Sequence, residues 1–146
     1  MAIWSYLVFA LLAGAMLPIQ FGINAQLAHW VGGSMRAALV SFVVGALGLL
    51  VAVLLTARGW PDRAEDAPWW VWTGGLLGAF YVLGSIVTAP KLGAATLVAL
   101  ILAGQAIASL LVDHFGWVGF AEHPITPVRL AGVALLAAGV VLVRIS

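Results

Sequence analysis

Cysteine is absent from all 146 residues. Disulfides, thiolate metal sites and thiol nucleophiles are therefore excluded. Charge is scarce as well: Asp, Glu, Lys and Arg make up 8% of the chain, while hydrophobic residues make up 64%. A soluble domain carries about 25% charged residues, so the composition excludes a water-soluble globule and defines a membrane protein. The net charge of +1 gives no basic surface for nucleic acid. The opening Met1-Ala2-Ile3-Trp4 lacks the positive n-region of a signal peptide, and the apolar run it begins is too long for one. That run is read as a first membrane span.

What is present is a series of five apolar stretches, each near the roughly 20 residues that cross a bilayer. They cover residues 3–28, 36–56, 69–89, 94–112 and 127–143. The expected fold is an all-α integral membrane protein with one five-helix domain. Pro18 lies inside the first span, where it removes a backbone donor and crowds the Gly14 carbonyl, predicting a kink. Residues 57–68 form a polar loop with Arg58, Asp62, Arg63, Glu65 and Asp66. Pro90-Lys91-Leu92-Gly93 is expected to make a tight turn, residues 113–127 a second loop, and Pro127 the first turn of the last helix.

Threading these spans through a bilayer places Arg58, Arg63 and Arg129 on one side and Arg36, Lys91 and Arg144 on the other. Orientation is set mainly by a Lys/Arg excess on the cytoplasmic side, and an even division gives no such instruction. Two readings remain open: a dual-topology protein that inserts both ways up, or a small polytopic protein whose few charges still suffice. All five acids fall on the side of the N-terminus, but acids contribute little to orientation.

Tryptophans gather at predicted span ends: Trp30, Trp60, Trp69, Trp70, Trp72 and Trp117. Their half-polar rings favour the headgroup zone, so they read as interfacial anchors. Small residues mark helix contacts: Ser41, Gly45, Gly48 and Ala52 in span two, Gly74, Gly78, Gly84 and Ser85 in span three, and Gly132 and Gly139 in span five.

The functional candidates are uncharged polar residues inside the spans. Gln20 and Asn24, four apart, share a helix face just beyond Pro18. Gln105, Ser109 and Asp113 repeat the same spacing in span four, and Tyr81 with Ser85 repeats it in span three. An unpaired amide in an apolar medium costs about 2–7 kcal/mol, so each group needs a partner. Either these groups bond neighbouring helices, or they line a polar cavity between spans one, three and four and bind substrate there. Asp113 and His114, at a span end, are candidates for a gate contact or a proton-coupling pair. No third ligand accompanies them, so no metal site is expected, and no cofactor is implied. His29 and His123 fall in short connections and read as interfacial.

The stretch AATLVALILAGQAIASLLVDHFG, residues 94–116, resembles span four of the small YdcZ-type family of the drug/metabolite transporter (DMT) superfamily. GINAQLA at 22–28, Ser41-Phe42 with Gly45, GGLLGAFYV at 74–82, Pro90-Lys91-Leu92-Gly93, and Arg129 followed by Gly132 and Gly139 are similar to the same family. The span-four motif is the most specific, and the resemblance covers nearly the whole chain. It implies a five-helix unit equal to one half of a ten-helix inverted-repeat DMT-type transporter in the bacterial inner membrane. The implied partner is a second copy in opposite orientation, or a homologous chain, around a cavity lined by spans one, three and four. Small multidrug resistance proteins, a related group, use a span-one glutamate for proton exchange. This chain offers Gln20 and Asn24 there, which cannot release a proton, so proton-driven export of cations does not carry over and a neutral or zwitterionic substrate, bound by amides and hydroxyls, fits better. The expected function is transport of a small polar or amphipathic molecule. Two other classes compete. A non-transporting membrane subunit would pair every embedded amide between helices, and a membrane enzyme would need a nucleophile beside Asp113 and His114 that the spans do not contain.

Overall fold

The computed structural model describes residues 2–56, 64 and 66–145. Arg58, Trp60, Asp62, Arg63 and Glu65 of the expected polar loop lie outside the described residues. The described chain is helical: α1 (Ala2–Val31), α2 (Ser34–Thr56), α3 (Gly74–Leu92), α4 (Ala94–Phe115) and α5 (Pro127–Ile145). A 3₁₀ turn, Trp69–Thr73, leads into α3, and a shorter one, Trp117–Gly119, follows α4. With that first turn counted into the third, the five segments are long and apolar enough to span a membrane, and at most 17% of any one is buried. Helices that are apolar on every side need lipid or other helices around them. The chain forms two compact units, Met1–Lys91 and Leu92–Ser146.

In the first unit, α1 and α2 form a hairpin closed by two glycines. Gly32 adopts φ +76°, and the Gly33 N–H donates to the Ala28 carbonyl at 2.8 Å. This is a Schellman ending, in which a left-handed glycine satisfies carbonyls the helix leaves unpaired. The Gly33 carbonyl accepts from the Ala37 N–H and starts α2. Arg36 Nη1 donates to the Val31 carbonyl at 3.3 Å, placing a cation on the negative end of α1. α1 runs unbroken through Pro18. α2 and α3 meet through Ala37, Ala38, Val82 and Ile86, the buried core of the unit. Lipid gives helices no hydrophobic reason to associate, so close van der Waals fit carries this contact. Gly78 faces Phe42 in this contact, where a Cβ would sit in ordinary van der Waals contact with the ring, at 3.4 Å. Trp69, Trp70 and Trp72 are exposed in the 3₁₀ turn at the start of this span, and Trp30 is exposed at the end of α1.

α3 passes through Pro90 and ends at Leu92, so the expected four-residue turn contracts to Gly93 alone, at φ +76°. Only glycine takes that conformation at no steric cost.

In the second unit, α4 and α5 pack along each other. α4 ends at left-handed Gly116, whose N–H donates to the Val112 carbonyl. α5 begins with Thr126 as N-cap and Pro127 at the first helical position. The Arg129 N–H donates to Thr126 Oγ1 at 3.3 Å and the Leu130 N–H to the Thr126 carbonyl at 3.0 Å. A groove of about 350 Å³ between the two helices includes Leu102 on α4 and Gly132 and Gly139 on α5.

Candidate functional site

In a span, a polar group without water must find its partner inside the protein. Short hydroxyl side chains do so on their own helix. Ser85 Oγ donates to the Val82 carbonyl, Thr88 Oγ1 to Gly84 and Thr56 Oγ1 to Ala52, at 2.6–2.7 Å. Asn24 and Tyr81 do not. Asn24 is 3% exposed, and its Nδ2 has no hydrogen-bond partner. The Tyr81 hydroxyl is likewise buried and unpartnered. The Tyr81 ring is fixed against the buried Phe21, edge to face at 6.0 Å. The first unit thus holds a carboxamide on α1 and a phenol on α3 with unmet hydrogen-bonding capacity. Leaving such a group unsatisfied costs about 1–3 kcal/mol.

Gln20, one turn before Asn24, is half-buried and lines a cavity of about 260 Å³ with Ser41, Phe42, Gly45, Ala46, Leu49 and Val82. Gly45 contributes space there, and Ser41 a second polar group. The sequence marked Ser41 only as small, although its position four residues before Gly45 puts both on one face of α2.

The second unit carries Gln105, Ser109, Asp113 and His114. The i, i+4, i+8 spacing has its expected result: Gln105, Ser109 and Asp113 line one groove of about 280 Å³, with Val118 and Phe120 from the following loop. Gln105 and Ser109 are exposed. Asp113 is engaged. Its carboxylate Oδ2 accepts from Arg129 Nη2 at 2.7 Å, and its backbone carbonyl accepts from the His123 N–H at 2.7 Å. Arg129 Nη1 donates to the His123 carbonyl at 3.1 Å. His114 Nδ1 accepts from the Ile125 N–H at 3.4 Å, and its ring meets Phe115 edge to face. Asp113 therefore pairs with Arg129, while His114 holds the loop. The sequence reading missed Arg129 as the partner, although opposite charges at adjoining span ends were the available signal. Among the described residues, no group of three His, Cys, Asp or Glu side chains could hold a metal ion.

Apolar helices with sparse, buried or groove-lining polar groups define a polytopic helical membrane protein. Its sequence matches, over residues 5–142, the DMT family described as "Putative inner membrane exporter, YdcZ", and the chain belongs to that family. It is 32% identical over 112 residues to "Inner membrane protein YdcZ" of Escherichia coli (strain K12), covering 75% of this chain and 74% of that protein. No solved structure gives a significant match. The protein is thus a multi-pass inner-membrane protein of a family described by export and not by an enzyme reaction.

Proposed function

We propose that the protein is a secondary transporter of a small polar or amphipathic molecule, exporting it by alternating access as an antiparallel pair of chains. The observation that carries this reading is the buried, unpartnered Asn24 Nδ2 and Tyr81 hydroxyl. A scaffold would have no reason to keep two unmet groups in an apolar bundle, whereas a binding site holds them ready for its ligand. Gln20 extends that polar surface on α1, and Gln105 and Ser109 supply a second one on α4. Exposed amides are costly against lipid, so the Gln105–Ser109 face is covered by a second copy or by the cavity between copies. Ten helices in two inverted sets form a unit in which each gate is built from the same structure used twice. The even division of cations between the two faces supports the antiparallel arrangement. Asp113, bonded to Arg129, acts as a gate contact at the loop end of α4, with His114 holding the loop beside it.

The missing cysteines make the test direct. Single Asn24→Cys and Ser109→Cys proteins are treated, in oriented membranes, with a membrane-impermeant methanethiosulfonate reagent. A water-accessible cavity in a dual-topology pair gives labelling of both positions from either side. Complete protection of both positions means paired helices and a non-transporting subunit. A separate Ala121→Cys label reports orientation: about half the chains labelled from outside supports the homodimer, and labelling from one side only calls for a homologous partner of opposite orientation.

A further inference from the structure

A groove of about 500 Å³ runs along the first unit between α2 and α3, clear of Asn24 and Tyr81. Its walls are Met35, Ala38, Leu39 and Phe42 on one helix and Ala79, Phe80 and Leu83 on the other. All are apolar, and several, including Leu39 and Phe80, are strongly exposed. Its one charged lining residue is Arg36, in the first turn of α2. From Arg36 to Phe42 the groove extends about 9 Å along the helix, at about 1.5 Å per residue. With α2 read as a membrane span, that length starts at the span's end and runs toward its apolar middle.

Arg36 lacks an anionic partner among the described residues, because the one ion pair there joins Arg129 to Asp113. Its Nη1 is taken by the Val31 carbonyl, and its remaining guanidinium donors bond to no other group among the described residues. The threading of the sequence deepens the imbalance. Within one chain, the end that holds Arg36 also holds Lys91 and Arg144, and all five acids fall at the opposite end. A guanidinium without an anionic partner above an apolar slot matches one chemistry: a phosphate diester attached to a hydrocarbon chain.

We propose that the α2–α3 groove binds an anionic phospholipid, its phosphate on Arg36 and an acyl chain lying against Leu39, Phe42, Ala79 and Phe80. A planar guanidinium pairs bidentately with phosphate oxygens. The slot takes the chain that the headgroup positions. The groove shares Phe42 with the Gln20 cavity but includes neither Asn24 nor Tyr81, and the proposal does not depend on the transport reading.

Native mass spectrometry of the purified protein, released from micelles doped equally with phosphatidylglycerol and phosphatidylcholine of matched chains, tests the site. Preferential retention of phosphatidylglycerol is expected. Arg36→Gln lowers that retention about fivefold, the size of one basic residue acting near a membrane surface, and leaves phosphatidylcholine unchanged. Arg36→Lys keeps part of the preference. Ala79→Phe fills the slot and lowers retention of both lipids while Arg36 stays in place, so a folding defect in the arginine variants does not leave the question open. Equal retention of both lipids by the unaltered protein overturns the proposal. So does unchanged lipid retention in Ala79→Phe together with a shift in the dimer population, which would assign the groove to a second copy of the chain.

Discussion

The Arg129 guanidinium donates to the Asp113 carboxylate at 2.7 Å across a separation of 16 residues. Each member sits at the wrong end of its own helix: Asp113 in the last turn of α4, where carbonyls point outward, and Arg129 in the first turn of α5, where N–H groups do. Such placements each cost about 0.3–1 kcal/mol through the helix dipole. The pair reverses both penalties, because Arg129 faces the negative end of α4 and Asp113 the positive end of α5. Arg129→Gln is expected to destabilise more than Asp113→Asn, since Arg129 also holds the His123 carbonyl and an asparagine at 113 can still accept from it. A double-mutant cycle on thermal unfolding in detergent should return a coupling of about 0.5–1 kcal/mol. A coupling of zero would mean that the two charges are solvated independently.

Gly116 closes the same corner. Its φ of +60° is left-handed, and a Cβ there would lie 3.3 Å from Glu122 Cγ and 3.4 Å from the Phe120 carbonyl oxygen. Gly116→Ala is expected to cost about 1–2 kcal/mol from the backbone alone, lowering the melting temperature in detergent. Gly132→Ala, where a Cβ meets nothing within 4 Å, provides the contrast and should leave single-chain stability nearly unchanged.

The N-cap of α5 allows a cleaner measurement. Thr126→Ala removes the hydroxyl that accepts from the Arg129 N–H and should cost about 1 kcal/mol, whereas Thr126→Ser should recover most of it. Because the cap and the Asp113 pair both converge on Arg129, their losses should not add. Equal effects of the alanine and serine variants would remove the cap from this account.

Five apolar runs announced the helices, because in a bilayer only closed backbone hydrogen bonding is tolerated and length alone then separates span from loop. Helix ends were less legible. α1 extends to Val31 because Gly32 turns left-handed there, and α3 continues past Pro90 because Gly93 supplies the break. In the second unit the i, i+4 rule placed Gln105, Ser109 and Asp113 in one groove, since a single helix fixes their common face. The Asp113–Arg129 pair was harder to see, because it depends on how the loop of residues 116–126 folds back. Nor could spacing tell that Ser85 bonds its own helix while Tyr81 is left unmet. That difference comes from side-chain reach: a hydroxyl on Cβ touches the preceding turn, and a phenol oxygen stands too far out to do so.

The unmet groups lead to the most discriminating expectation. Tyr81→Phe removes a buried hydroxyl that bonds to nothing in the isolated chain, and Asn24→Leu replaces an unpaired amide with an apolar group of similar size. Removing an unsatisfied polar group relieves its desolvation penalty, about 1–3 kcal/mol. Both variants should therefore unfold in detergent at the same temperature as the unaltered protein or higher, while losing export. Residues that merely bonded neighbouring helices would behave oppositely: their loss would lower stability and leave transport intact in whatever protein still folded. Melting temperature and flux measured on the same preparations separate the two cases. A variant of Tyr81 that is both less stable and fully active would remove that residue from the substrate path and return it to helix packing.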